Sequence, residues 1–193
     1  MSFLRALMKE AENRKFLLKR ISEDNSGAFS KLFDLYFSRV FQFASYFIKS
    51  EEICKEVTSD VFISLWNNRK KLMEILNFDA YLYKITKNKA LDYIDKVSRQ
   101  PKFTPDLPVE IHSYQGSPED QLLIKELEEA INQSISYLPE RCKIIFLMAR
   151  EEGLTYHEIA DILSISEKTV NAQMVTAIRK MGEALKKYMS VIL

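Results

Sequence analysis

The sequence predicts an all-α protein: two small helical domains joined by a flexible linker, the C-terminal one a helix-turn-helix. Three observations predict it. Turn formers are scarce, with four Gly and five Pro among 193 residues, well under the ~12% usual for globular chains, and sheet folds need such residues at every corner. Apolar residues recur at three- and four-residue steps over most of the chain, the period of a helix with one buried face. Four of the five prolines fall between Pro101 and Pro118, where that periodicity stops.

Each element has its own signal. Phe3, Leu4, Leu7, Met8 and Ala11, then Phe16, Leu17, Leu18 and Ile21, predict a first amphipathic helix, which Asp24-Asn25-Ser26-Gly27 interrupts. A second follows from the aromatic stripe Phe29, Leu32, Phe33, Tyr36, Phe37, Val40, Phe41, Ala44 and Phe47, read as core packing. A third begins near Glu51 with Ile53, Val57, Val61, Phe62, Leu65 and Trp66 on its apolar face, and Arg69-Lys70-Lys71 suits its last turn. Asn77-Phe78-Asp79 breaks the pattern. A fourth helix then runs from Ala80 to Val97 with Leu82, Ile85, Leu91 and Ile94 inward.

About twenty residues without periodicity mark a linker rather than a loop inside a domain. The stretch from Asp106 to Glu129 carries seven carboxylates and one Lys, so the linker side is acidic. Ser117 opens the second helical unit, with Leu122, Leu123, Leu127, Ala130, Ile131 and Ile135 as one stripe. Pro139 restarts the chain in a first turn. Cys142, Ile145, Phe146 and Met148-Ala149 follow, and Gly153 ends that helix. The expected domains are therefore an N-terminal helical extension over residues 1–22, a first domain over 23–98, the linker over 99–117 and a second domain over 118–193.

The most specific string is GLTYHEIADILSISEKTVNAQMVTAIRKM, residues 153 to 181. Thr155 and Glu158 form a capping box that starts a helix. Ile159, Ala160 and Leu163 are its buried face, Ser164-Ile165-Ser166 is a tight turn, and Ser166 can cap the next helix. Val170, Met174, Ala177, Ile178 and Met181 bury that second helix. Lys168, Thr169, Asn171, Ala172, Gln173, Thr176, Arg179 and Lys180 remain for solvent. Asn and Gln pair with adenine edges, small residues admit a thymine methyl, and hydroxyls with helix-start amides suit phosphates. A second basic patch lies on the fourth helix. Lys84, Lys87, Lys89, Lys96, Arg99 and Lys102 outweigh Asp92 and Asp95, with Phe78, Tyr81, Tyr83 and Asn88 interleaved. Cations with stacking rings are what a groove for single-stranded nucleic acid uses.

Whole-chain composition sets limits. At 47% hydrophobic and 28% charged, the chain can bury a core. No apolar run approaches ~18 residues, and the first fifteen residues lack a secretory h-region, so a cytoplasmic location is expected. Cys54 and Cys142 form no CxxC pair and suit a reduced compartment. His112 and His157 have no ligand cluster, so no metal site, no cofactor, no small-molecule substrate and no enzymatic activity are expected. A net charge of +1 gives little long-range pull toward DNA, so nucleic-acid binding must come from local segregation of charge.

Five strings carry a family resemblance: AFSKLFDLYF (Ala28 to Phe37), EVTSDVFISLW (Glu56 to Trp66), FDAYLYKITKNKALDYI (Phe78 to Ile94), YLPERCKIIFLMAR (Tyr137 to Arg150) and the helix-turn-helix. In that order, covering nearly all of Asn25 to Lys187, they resemble an extracytoplasmic-function (ECF) sigma factor, a minimal member of the sigma-70 family. The resemblance implies that the protein directs the core RNA polymerase of bacteria to promoter DNA. Glu56, Ser59, Asp60, Ile63 and Asn67 would dock on the β′ clamp helices, and Tyr137 to Glu151 would face the β flap. The loop from Met73 to Asp79 would capture a flipped base of the −10 element, with Asn77, Phe78, Tyr81, Lys84, Lys87, Asn88 and Lys89 on the single strand. Ser166, Lys168, Thr169, Asn171, Ala172, Gln173, Arg179 and Lys180 would read the −35 duplex. An anti-sigma factor would be a further partner. Ser59 stands where the family commonly has Gln, Lys87 where it has Arg, and Asp95 where it has a base. The alternative is a helix-turn-helix regulator that binds DNA as a dimer without polymerase.

Overall fold

The computed structural model describes residues 2–98 and 129–192, with side chains from 12 to 96 and from 129 to 186. The predicted linker at 99–117, the stripe residues Leu122, Leu123 and Leu127, and His112 lie outside the described residues. All regular structure among the described residues is helical. The chain divides into two units, Met1–Leu107 and Pro108–Leu193.

In the first unit the helices are α1 (Ser2–Ser22), α2 (Ser26–Ser45), α3 (Glu51–Asn67) and α4 (Phe78–Ser98), with a 3-10 helix at Arg69–Glu74. The breaks have local causes. Asp24 sits at φ +65°, which ends α1. The Asn25 side chain then accepts from the Ala28 amide at 2.8 Å and starts α2. Ser50 caps α3 in the same way, accepting from the Ile53 amide at 3.4 Å. The core is one cluster of Leu17, Leu18 and Ile21 from α1, Leu32, Tyr36 and Val40 from α2, Val61, Phe62 and Leu65 from α3, Leu72 from the 3-10 helix, and Phe78 and Leu82 from α4. A satellite of Ala44, Ile48, Cys54, Val57 and Ala90 closes the other end. There burial, and then the charge of Glu51, push the Cys54 thiol up to about 11.

Four readings of this unit change. Arg69-Lys70-Lys71 lies in the 3-10 helix beyond α3, because Asn68 has left helical geometry at φ −97°, ψ 11°. Helix α4 starts two residues early, with the Asn77 side chain accepting from the Ala80 amide at 3.1 Å. Its inward face is Phe78, Leu82, Tyr83, Thr86 and Ala90, while Leu91 and Ile94 are exposed. The aromatics of α2 do pack against the core, but Phe29, Phe33, Phe37 and Phe41 are only half-buried.

In the second unit, helical residues 129–136 form α5 within the described part, followed by α6 (Glu140–Arg150), α7 (Tyr156–Leu163) and α8 (Glu167–Ile192). Pro139 precedes α6 as its N-cap. Both α6 and α7 pack on α8. The core here is Ile135, Cys142, Ile145, Leu147, Met148, Ile159, Ile162, Val170 and Ala177. Ile162, and not Leu163, completes the inner face of α7, and Ile178 is exposed.

Candidate nucleic-acid and polymerase interface

The reading head is built by caps. Thr155 Oγ1 accepts from the Glu158 amide at 3.2 Å while Glu158 Oε2 accepts from the Thr155 amide at 2.8 Å, a complete capping box. Helix α7 ends at Ser164 in the left-handed region, φ 57°, ψ 47°. The Ile165 amide returns to the Ala160 carbonyl at 3.0 Å, which satisfies an otherwise orphaned acceptor. Ser166 then caps α8, its Oγ accepting from the Thr169 amide at 3.1 Å.

The faces of α8 follow from this start. Val170, Met174, Ala177 and Met181 are buried. Lys168, Asn171, Ala172, Arg179 and Lys180 are exposed. Three predicted readers are otherwise engaged, among them Arg179, whose Nη1 donates to Glu183 Oε1 at 2.8 Å. Gln173 is half-buried, with its Oε1 accepting from the Cys142 thiol at 2.7 Å. The Thr169 hydroxyl pairs with Ser166 Oγ at 2.8 Å. Sequence reasoning missed Val175 and Ile178, each 59% exposed beside Asn171. At three- and four-residue steps they share one flank, so an apolar edge borders the polar one. His157 bridges the two helices, its Nδ1 2.9 Å from Glu167 Oε1 and its Nε2 3.6 Å from Asp161. The Glu167 hydrogen bond, then the charges of Asp161 and Glu167, raise its pKa.

On α4 the exposed predicted residues fall on one stripe. Asn77, Lys84 and Asn88 are exposed and Tyr81 half-buried, at successive helical steps of four, three and four. Phe78 does not belong to it. It is 3% exposed, packed edge-on to Tyr36 with centroids 5.4 Å apart, so it has no face for a base. Lys87 is only 8% exposed. Burial, and then the charge of Lys84, push its ammonium below the ordinary value. Lys89 is half-buried.

On α3, Glu56, Ser59, Asp60, Ile63 and Asn67 are all exposed, and their spacing puts them on one face. Beside that face runs an apolar groove of about 430 Å³, walled by Ser26, Phe29 and Phe33 of α2 and by Ser59, Phe62, Ile63 and Trp66 of α3. Phe29 meets Trp66 at 5.0 Å and Phe33 meets Phe62 at 4.6 Å between centroids. The signal for the groove was the aromatic stripe of α2, wider than one core face requires. Arg14 and Arg39 also escaped sequence reasoning, which named Asp79 only within the Asn77-Phe78-Asp79 break and as the end of the Met73 to Asp79 loop. Arg14 Nη1 donates to Asp79 Oδ2 at 2.5 Å, and Arg39 Nη2 donates to the Tyr83 hydroxyl at 2.8 Å.

A helical unit with an exposed polar face beside an apolar groove, in a chain that also carries a helix-turn-helix, fits the class of promoter-recognition factors that work with a polymerase. Comparison with known proteins agrees. The sigma-70 region 2 family model matches residues 32–100, and the sigma-70 region 4 model matches 128–181. The chain belongs to the sigma-70 family, in its extracytoplasmic-function group. It is 25% identical over 178 residues to the ECF RNA polymerase sigma-E factor of Haemophilus influenzae, covering 88% of this chain and 94% of that one. Among solved structures it resembles the sigma factor RpoE in complex with the anti-sigma factor NepR from Bartonella quintana, with TM-score 0.61, 16% identity, and 82% and 96% of the two chains covered. It also resembles CnrH in complex with the cytosolic domain of CnrY, with TM-score 0.58, 19% identity, and 91% and 98% covered.

Proposed function

We propose that each unit of this initiation factor performs one half of promoter recognition. The first unit docks on core polymerase through Glu56, Ser59, Asp60, Ile63 and Asn67 and the apolar groove beside them. It holds the unpaired −10 strand with Asn77, Tyr81, Lys84 and Asn88. The second unit reads the −35 duplex with Lys168, Asn171, Ala172, Arg179 and Lys180, while Ser166 and the start of α8 contact phosphate. The carrying observation is the groove. A regulator that only bound DNA would have no use for half-exposed Phe29, Phe33 and Trp66 beside an exposed Ile63.

The protein works in the cytoplasm, where polymerase is. No helix among the described residues is long and apolar enough to cross a membrane. An anti-sigma factor restrains it, in line with the complexes formed by the two structural relatives. The test is run-off transcription with purified bacterial core polymerase on a pool of promoter fragments. Transcripts that appear only when this chain is added support the reading. Binding to palindromic DNA as a dimer, with no transcription, replaces it with the free regulator.

A further inference from the structure

The segment from Arg69 to Asp79 runs from the end of α3 into the first turn of α4 and carries the loop assigned above to the −10 strand. One of its ends is tied to the turn that follows the N-terminal helix and the other to the helix itself. Just past α1, Asp24 Oδ1 accepts from Arg69 Nε at 2.5 Å. From within α1, Arg14 Nη1 donates to Asp79 Oδ2 at 2.5 Å and lies 3.4 Å from the Tyr36 hydroxyl. Between the ties, Leu72 is buried in the cluster that holds Leu17, Leu18 and Ile21. The other Asp79 oxygen is buried without a hydrogen-bond partner among the described residues, with Arg39 Nη1 3.8 Å away. Arg14 is therefore the main support of the Asp79 carboxylate. Leu76 and Asn77, between the ties, are exposed.

A helix that served only as packing would need Leu17, Leu18 and Ile21 and nothing more. Arg14 falls on the same face at helical spacing, yet it ends on a carboxylate and not in solvent. Ion pairs in partly exposed positions add little stability; what they fix is geometry. We propose that α1, which lies outside the span matched by the region 2 family model, is a positioning element for −10 reading. Its Arg14 tie, together with the Asp24 tie from the turn that follows it, holds residues 75–77 in the shape that accepts an unstacked base, and Arg14 and Asp79 are positioning residues that never touch DNA. This rests on the −10 assignment above.

The test uses the full chain assembled with core polymerase. The probe is a pool of fork-junction DNA with a randomised unpaired non-template hexamer, captured and sequenced. Arg14→Gln should flatten base preference at one or two adjacent positions by about fivefold, the size of coupling between contacting residues. Polymerase affinity and −35 preference should stay unchanged. Asp79→Asn, which keeps the volume, should flatten the same positions, the double variant should be no worse than either single one, and Arg14→Lys should recover part of the preference. An unchanged profile in Arg14→Gln and Asp79→Asn, or a uniform loss of capture with the profile intact, overturns the proposal and leaves the −10 assignment standing. A wild-type complex with no preference in the hexamer overturns both.

Discussion

Replacing Ile63 by Ala separates docking from folding by a magnitude that exposure sets. Ile63 is 57% exposed on the rim of the groove. The substitution removes three carbons, each contributing about 0.8 kcal/mol when fully buried, or about 2.4 kcal/mol in all. The fraction still exposed in the free protein is what a partner can bury, so docking should lose about 1.4 kcal/mol, close to tenfold in Kd. The remaining fraction, about 1 kcal/mol, should appear as lost stability of the first unit. Leu35, on α2 but not in the groove lining, is 56% exposed and serves as the matched control. Fluorescence anisotropy of labelled protein titrated with core polymerase reads the first term, and denaturant unfolding followed through Trp66 reads the second. If Leu35→Ala weakens polymerase binding as much as Ile63→Ala, or Ile63→Ala changes only stability, the groove is not the docking surface.

Ser164→Gly should stabilise the second unit by about 0.5–1 kcal/mol, because relief of the left-handed strain exceeds the added freedom of glycine in the unfolded chain. Amides of α7 and α8 should then exchange about 2- to 5-fold more slowly, and faster exchange would mean that the serine hydroxyl matters more than its backbone. The raised pKa of His157 favours the protonated form in the folded state. Its contribution is full below the ordinary value near 6.5 and is lost as pH rises through the raised one. A ring-proton NMR titration should show that midpoint, and Glu167→Gln should lower it; no change would remove the bridge. Asn171→Ala should relax base choice at one −35 position by about 1–3 kcal/mol, while Lys84→Ala should weaken binding of any sequence and reduce the salt slope by about 0.7. Competition binding at several salt concentrations distinguishes the two, and a uniform loss for Asn171→Ala contradicts direct readout.

The helices were legible because their signals are local. Asn25, the capping box at Thr155 and Glu158, and Ser166 all act within three residues of themselves. What was misread depends on distant neighbours. Leu91, Ile94 and Ile178 have the right chemistry for a core, but no helix among the described residues covers them. Helical period gives a residue's direction without saying whether anything lies there. Lys87 has the right charge for DNA, yet its position beside Tyr83, Thr86 and Ala90 sends its stem inward. Gln173 has the right amide for adenine, but Cys142, thirty-one residues earlier, takes its oxygen. Arg14 was readable in part. It shares a face with Leu17, Leu18 and Ile21, and a cation there signals a buried anion, but nothing in the sequence names Asp79 as that anion.

The revised sites also bear on how promoter opening is divided between this protein and polymerase. With Phe78 and Lys87 turned inward, the α4 stripe keeps one half-exposed ring, Tyr81, and the exposed cation Lys84. Stacking returns about 1–3 kcal/mol per base, while each separated step of duplex costs about 1.4 kcal/mol. One ring therefore offsets one or two steps and cannot sustain the opening of several. A chain of net charge +1 adds little long-range attraction to make up the difference. The free protein should leave a promoter closed and act only by holding the strand that polymerase helps to separate. Permanganate footprinting measures this directly. Thymines should become reactive when both proteins are present, and reactivity with this chain alone would show that the stripe binds far more strongly than its exposed residues allow.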